Sequence, residues 1–399
     1  MSVIISFPEN IIVVGRIYSF FKKKEYRYKV FCWNSKEESW LFWGKELNRS
    51  YKKNVTVSAL SNVKSIKLLG ELVSLIKFAT TNSKLFFRHK TYYKGKGIKK
   101  YIVALLDDYK LMALKPEVLH FEFGTLGVKK IYLKEILNCK VIVSFRGYDL
   151  NYYKLSDDSI YSEVWSKADG FHFLGEDLYK RAKKRGFDSQ NKIVHFIPPA
   201  VRPEVFSRSV PLELEKRVRP ISVISVGRLV WKKGIEYGLL AFKKYLDKGG
   251  EGTYHIVGIG PAYEEVEFFI HELGLVDKVI MHGKLMPEET KICLDSADVF
   301  FHPSISEGFC NAVIEAQSME IPVVATDADG LAENIENNVT GFLVKKWDTE
   351  DMSDKLLELY RNPELRYKFG KSGRQRVLEK FTVEKQVLAF DKLYKEVYA

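Results

Sequence analysis

Short apolar runs alternate with stretches of helical periodicity along most of the chain. In the first half, Val3 to Phe7, Tyr28 to Trp33, Val118 to Phe123, Val141 to Phe145, Ala168 to Phe173 and Lys192 to Ile197 read as strands. In the second half the corresponding runs are Ile221 to Val226, Tyr254 to Val257, Val279 to Met281, Val299 to Phe301, Ile321 to Ala325 and Phe342 to Val344. Helical spacing predicts a basic segment around Ser19 to Lys24, then Ser65 to Thr80, Ile235 to Leu246, and a helix beginning near Gly308 to Asn311. Three further amphipathic helices are expected over Asp351 to Arg361, Glu364 to Glu379 and Val383 to Tyr398. Strand and helix in alternation predict an α/β chain. The Pro-bearing stretch from Pro198 to Pro220 has no strong periodicity and reads as a linker.

A length of 399 residues exceeds one ordinary core and fits two domains, and a hydrophobic fraction of 46% allows both to pack. Cys32, Cys139, Cys293 and Cys310 are scattered without C-x-x-C spacing or His clusters, which argues against a zinc site and a disulfide framework and favours a reducing cytoplasm. Met1 to Phe7 lack the pattern of a signal peptide, and no run of 18 apolar residues occurs, so no membrane span is expected. Charge changes the picture more. Residues 1–200 hold 36 Lys and Arg against 19 Asp and Glu, a net +17, whereas the remainder hold 27 against 32, a net −5. Basic density peaks between Tyr51 and Lys100, where Glu71 is the only acid. Phe86, Phe87, Arg88, Lys90, Tyr92, Tyr93, Lys94, Lys96, Lys99 and Lys100 read as an aromatic and basic surface loop suited to an anionic bilayer interface. Such residues also stack nucleic-acid bases, but no recognisable nucleic-acid-binding module supports that partner.

The densest chemistry lies between Ala297 and Glu315. A strand breaks at His302-Pro303 into a polar loop, and the loop feeds a helix. Glu307 and Glu315 flank first-turn N–H groups that have no helical partners and sit at the positive end of the dipole. Such amides suit a diphosphate, and each carboxylate suits a pair of sugar hydroxyls. The plainer alternative leaves Glu307 as a helix cap and Glu315 in solvent. Further glycine-bearing loops follow strands at Gly124-Thr125-Leu126-Gly127, Arg146-Gly147-Tyr148-Asp149, Gly227 to Gly234, and Gly258-Ile259-Gly260. Ligands of parallel sheets bind at such strand ends. G-x-G alone does not argue for NAD.

The spacing of Glu307 and Glu315, within H-P-S-I-S-E-G-F and I-E-A, resembles the E-x7-E signature of retaining glycosyltransferases of the GT-B fold, family 4 (glycosyl transferases group 1). The likeness extends from Ser225 to Val344. It implies two Rossmann-like domains facing each other across a cleft: residues 1–200 for the acceptor, joined by a final helix of about 381–399 crossing back, and residues 201–380 for the nucleotide-sugar donor. The implied reaction moves a hexose from a nucleotide diphosphate sugar, with UDP or GDP as the nucleotide, to a hydroxyl acceptor, a saccharide or lipid-linked saccharide of cell-surface polysaccharide or glycolipid synthesis. By the same resemblance Glu307 orients the hexose with the Gly308, Phe309 and Cys310 backbone, while Arg228 and Lys233 of G-R-x-x-x-x-K-G meet the diphosphate together with the Asn311 and Ala312 amides. Glu315 takes the ribose, and Gly227, Gly258, Gly260 and Leu285 line the donor. His120, Arg146 and Asp149 belong near the reacting sugar, although Arg146 stands where the family carries histidine and cannot shuttle protons at neutral pH. No cofactor or metal is implied. Asp327 and Asp329 form a D-x-D, the metal motif of the other major glycosyltransferase fold, within a loop that here resembles a turn, and no metal is assigned to it. The glycine-rich loop expected after the first strand is not found, since Gly15 is the only glycine in the first 43 residues. A non-catalytic nucleotide-sugar-binding scaffold, or an epimerase or phosphorylase of the same fold, are the alternatives.

Overall fold

The computed structural model describes residues 2–7, 27–32, 55–57, 68–214 and 217–399. Gly15, the segment expected around Ser19 to Lys24 and the start of the helix expected from Ser65 lie outside that set. The chain divides into two compact units. One comprises Met1–Phe173, Leu178–Ile197 and Val387–Ala399; the other comprises Leu174–Asp177 and Pro198–Gln386.

The first unit is built on a seven-stranded sheet in the order β3-β2-β1-β4-β5-β6-β7, formed by Ser2–Phe7, Arg27–Cys32, Val55–Val57, Val118–Phe121, Lys140–Phe145, Gly170–Phe173 and Ile193–Phe196 for β1 to β7. All six pairings are parallel. β4 and β6 are buried along their whole length, as expected of parallel strands covered on both faces. The C-terminal residues complete this unit. Phe390 packs on His120 and His172, Tyr394 bonds His120, and Tyr398 donates to Glu117.

Two expectations for this unit are corrected. The aromatic and basic stretch from Phe86 to Lys100 is not a surface loop: helix Ser83–Tyr92 and helix Ile98–Leu114 occupy it, joined by a turn in which Gly95 and Gly97 have positive φ. The reason is helical spacing of rings. His89 stacks on Tyr93 at 4.9 Å, Tyr92 stacks on Tyr132 at 4.7 Å, and Tyr132 and Lys130 both reach the buried Asp108. The glycine-bearing segments after β4 and β5 are likewise not open loops. They begin helices Gly124–Lys130 and Gly147–Asn151, and at Gly124 a side chain would collide with the Phe145 ring.

The second unit carries a six-stranded parallel sheet in the order β10-β9-β8-β11-β12-β13, where β8 to β13 are Ile221–Val226, Gly252–Val257, Val279–Gly283, Val299–His302, Val323–Thr326 and Gly341–Val344. Leu239, Phe242 and Tyr245 of helix Ile235–Asp247 join Met352 and Leu356 in one core layer. Val313, Ala316 and Met319 join Leu294 and Ala325 in the other. The stretch from Pro198 to Pro220 has no helix or strand among its described residues, but it is tied along this unit. Val201 N–H donates to Phe381 O at 2.8 Å, Arg208 reaches Asp295 O and Ala297 O at 3.0 Å, and Ser318 Oγ donates to Phe206 O at 2.7 Å.

Candidate functional site

Strand order in the second sheet reverses between β8 and β11, where Val299 lies beside Val223 and Phe300 beside Ile224. Beyond the carboxyl ends of two adjacent strands whose connections leave in opposite directions, a crevice opens that neither crossover helix fills. β8 delivers Gly227 and Arg228 to that place, and β11 delivers His302. A small hollow there is lined by Gly227, Arg228, Lys233 and His302.

Main-chain bonds fix what meets in it. The Ile305 N–H donates to Lys232 O at 2.7 Å and Ser304 Oγ donates to the same oxygen at 2.8 Å, so the loop after β11 is clamped to the 3-10 turn Trp231–Lys233. That clamp puts Lys233 against Glu307, and Lys233 Nζ donates to Glu307 Oε1. Both side chains are largely buried, 14% and 8% exposed. His302 Nε2 stands 3.5 Å from Glu307 Oε1 and 3.4 Å from Cys310 Sγ. Burial alone would raise the Glu307 carboxyl, but the His302 hydrogen bond and the Lys233 charge override it and hold the group at about 2. Burial works against the Lys233 ammonium, yet the Cys310 sulfur and Glu307 outweigh it and keep Lys233 above its ordinary value. Cys310 and His302 shift towards each other's charged forms: burial opposes both, but the imidazole lowers the thiol and the thiol raises the imidazole. Arg228 is exposed and has no hydrogen bond or ion pair among the described residues.

Helix Asn311–Ser318 starts at this loop with Cys310 as its N-cap and no side-chain cap. The Asn311, Ala312 and Val313 amides are therefore the first-turn donors. The Cys310 amide, expected to face the sugar, is committed elsewhere. Its N–H donates to Asn334 Oδ1 at 3.2 Å, and Asn334 Nδ2 returns a bond to Cys310 O at 2.9 Å. Asn334 is a positioning residue that no spacing in the sequence signalled. Gly308 and Phe309 lie in the same loop, Gly308 buried and Phe309 half-buried against Phe381. Glu315 lies on the next turn, partly open to solvent, its carboxylate without a hydrogen bond or ion pair among the described residues. Burial of its carboxyl pushes it up to about 7.

Gly258 and Gly260 also meet a demand of the fold itself. A Cβ at Gly258 would overlap the Gly227 carbonyl oxygen, and φ there is +145°; a Cβ at Gly260 would overlap Leu229 O. These glycines let the β8 and β9 loops lie on each other, joined by Leu229 N–H to Ile259 O at 3.0 Å. Leu285 packs half-buried on the core beneath the helix. Asp329 of the D-x-D accepts from Ser306 Oγ and, at 2.8 Å, from Lys346 Nζ, while Asp327 Oδ1 accepts the Lys346 N–H at 3.3 Å.

His120, Arg146 and Asp149 come together in the first unit around Glu122. Arg146 pairs with Glu122, His120 Nδ1 is 3.9 Å from its other oxygen, and Asp149 accepts the Arg146 and Thr125 N–H groups at 2.8 Å. Burial lowers Arg146 to about 10 and raises Asp149 against its N–H donors. His120 is fully buried with both ring nitrogens engaged, as befits a structural histidine. The chain of bonds runs Tyr394 OH, His120, Ser144 Oγ, His172, Ile197 O. Ile197 O can only accept, so His172 Nε2–H donates to it, and were both rings neutral Ser144 O–H would donate to His172 Nδ1, His120 Nε2–H to Ser144, and Tyr394 O–H to His120 Nδ1.

Comparison with known proteins agrees with this geometry. Residues 211–376 match the family of glycosyl transferases group 1. The amylovoran biosynthesis glycosyltransferase AmsK of Erwinia amylovora is 26% identical over 250 residues, 61% of this chain and 60% of that protein. The capsular polysaccharide biosynthesis glycosyltransferase CapM of Staphylococcus aureus is 30% identical over 157 residues, 39% of this chain and 41% of its own length. The chain thus spans less than two thirds of the length of these curated relatives. In fold, it superposes on Anabaena HepE in complex with UDP-glucose with a TM-score of 0.71 at 13% identity, over 99% of this chain and 100% of that one. Two parallel-sheet units of this order are the GT-B fold, and residues 211–376 are similar to the glycosyl transferases group 1.

Proposed function

We propose that the protein is a retaining, metal-independent hexosyltransferase that uses a nucleotide diphosphate sugar, a UDP- or GDP-sugar, and passes the hexose to a saccharide or lipid-linked saccharide hydroxyl in cell-surface polysaccharide or glycolipid synthesis. The observation that carries this reading is the Lys233–Glu307 pair at the β8/β11 switch point, beside an uncapped helix start. Glu307 is ionised at any physiological pH and accepts hexose hydroxyls. Lys233 has three donors, so it can keep Glu307 and still meet a phosphate. Arg228 supplies a second cation, and the Asn311 and Ala312 amides supply dipoles to the departing diphosphate, stabilising charge as it develops. Glu315 accepts the ribose hydroxyls. AmsK and CapM, named for exopolysaccharide and capsule synthesis, support the pathway, and the UDP-glucose in HepE supports the donor class.

A panel of UDP-, GDP- and ADP-sugars tests the donor. At a hundredfold excess over Kd a bound donor adds about 2.7 kcal/mol, a rise of about 5–10 °C in a unit of this size. Glu307→Ala and Lys233→Ala abolish transfer while the fold survives. Turnover within about threefold of wild type in both, roughly 0.7 kcal/mol, overturns the assignment. Donor binding without transfer or hydrolysis points instead to a scaffold, and turnover that requires orthophosphate to a phosphorylase.

The acceptor side of the reading places the protein in the cytoplasm against the inner, anionic face of the cell membrane. No helix among the described residues is long and apolar enough to cross a bilayer. Val73, Ile76, Phe87 and Ile98 nevertheless stand exposed on helices that also expose Lys77, Lys84, Lys90, Lys99 and Lys100. Apolar side chains amid lysines suit the headgroup layer of anionic lipid. Co-sedimentation with phosphatidylglycerol vesicles at low salt, lost at high salt, is expected; no co-sedimentation at low salt removes this part.

A further inference from the structure

We propose that His302, Glu307 and Cys310 form a binding site for zinc or a similarly thiophilic divalent ion, and that the ion competes with Lys233 for Glu307. One donor atom from each of the three residues lies within 4.8 Å of the other two. The two distances that matter most are 3.4 Å from His302 Nε2 to Cys310 Sγ and 3.5 Å to Glu307 Oε1. In a tetrahedral site with bonds of about 2.0–2.3 Å, neighbouring ligand atoms stand about 3.3–3.8 Å apart. Two of the three pairs already stand at the edge length of such a tetrahedron and the third lies within 4.8 Å, so an ion needs only a closing movement of Cys310 and Glu307.

The donor set also selects the ion. One imidazole, one thiolate and one carboxylate match zinc or cobalt, whereas magnesium and calcium require oxygen. All three residues are buried, and the Cys310 backbone is held from both sides by Asn334, so the ligands are preorganised. Binding is balanced simply. The thiol proton leaves as the sulfur–metal bond forms, and thiolate and carboxylate together neutralise the ion. The ion and the Lys233 ammonium both call on Glu307 Oε1, so metal occupancy and the Lys233–Glu307 pair compete for that oxygen. The resulting inhibition rests on the proposed transfer reaction; the binding site does not.

The test uses the full chain, reduced and stripped with chelator, titrated with Co²⁺. A thiolate-to-cobalt charge-transfer band with intense tetrahedral visible bands, saturating at one equivalent and bleached by Zn²⁺, is expected. Cys310→Ala loses the charge-transfer band, His302→Gln weakens binding by at least about tenfold, and Cys293→Ser, at a cysteine outside the cluster, changes neither. Absence of the band in the wild type, or its persistence in Cys310→Ala, overturns the site. In the turnover assay Zn²⁺ inhibits and chelator restores. If the stripped protein turns over no nucleotide sugar, the transfer reading fails, while the cobalt spectrum still decides the site.

Discussion

Replacing Glu307 by glutamine keeps the shape of the side chain and removes the charge that Lys233 relies on. The ammonium is then left 14% exposed beside a neutral amide. Breaking a buried ion pair from one side costs about 3–5 kcal/mol. An independent route gives a similar figure. A carboxyl held at about 2 against an ordinary value of 4.5 corresponds to about 3 kcal/mol at 1.36 kcal/mol per unit. For a unit of this size that is a fall of about 6–12 °C in Tm. The sign in pH follows from the depressed carboxyl: its contribution is full above about 4.5 and is lost as pH falls towards 2, with roughly 2 kcal/mol gone by pH 3. Differential scanning fluorimetry and urea titration of wild type and Glu307→Gln at pH 7, 5, 4 and 3 should show a gap that closes on acidification. Lys233→Met combined with Glu307→Gln should lose less than the sum of the single changes, because the pair acts as one unit. A gap below about 1 kcal/mol at pH 7, or one independent of pH, would refute the idea that these two side chains are paired.

Glu315 titrates in the opposite sense. Burial holds it up to about 7, so its share of stability declines between 4.5 and 7, and its anion, the form that accepts both ribose hydroxyls, becomes abundant only above that range. Affinity for a nucleotide diphosphate sugar, which has no phosphate titrating there, should rise from pH 6 to 8 in calorimetric titrations and be flat in Glu315→Gln. In the first unit, Ser144→Ala removes the hydroxyl that bonds both His120 and His172 in the core. A loss of about 2–4 kcal/mol in chemical denaturation is expected, and a loss below about 1 kcal/mol would show that the chain is dispensable. Gly258→Ala forces a side chain onto the Gly227 carbonyl at a φ of +145° and should cost about 2–4 kcal/mol, whereas Gly274→Ala, at φ +63° in open space, should cost about 1 kcal/mol. Equal melting temperatures for the two would contradict the close approach of the β8 and β9 loops.

The central strands β4, β6, β11 and β12 were legible because each is a largely apolar run, buried along its length. The helices from Ser83 to Leu114 were not. Their buried side includes His89, Tyr109 and Asp108, residue types that look like surface until tertiary partners such as Lys130 and Tyr132 are supplied. At the site, Glu307, Glu315 and Lys233 were visible as spacing around a helix start. Asn334 was not visible, since its grip on Cys310 joins residues 24 positions apart with no periodic signal. Nor was the meeting of His302, Glu307 and Cys310, which follows from the loop bending back on the turn at Lys232. At Gly258 and Gly260 the structure adds a demand that the sequence did not show, the crossing backbone of Gly227 and Leu229, because from sequence a ligand and a crossing backbone make the same demand for space.

The membership of Val387–Ala399 in the first unit has a consequence for how the protein is made. The strands bearing His120 and His172 leave the ribosome early, but Tyr394, which bonds His120, and Phe390, which covers both rings, are translated only after the whole second unit. The later-made unit can therefore mature first, while the earlier one waits with its histidines uncovered. A nascent chain stalled before residue 387 should resist protease in its later half and remain cleavable in its earlier half.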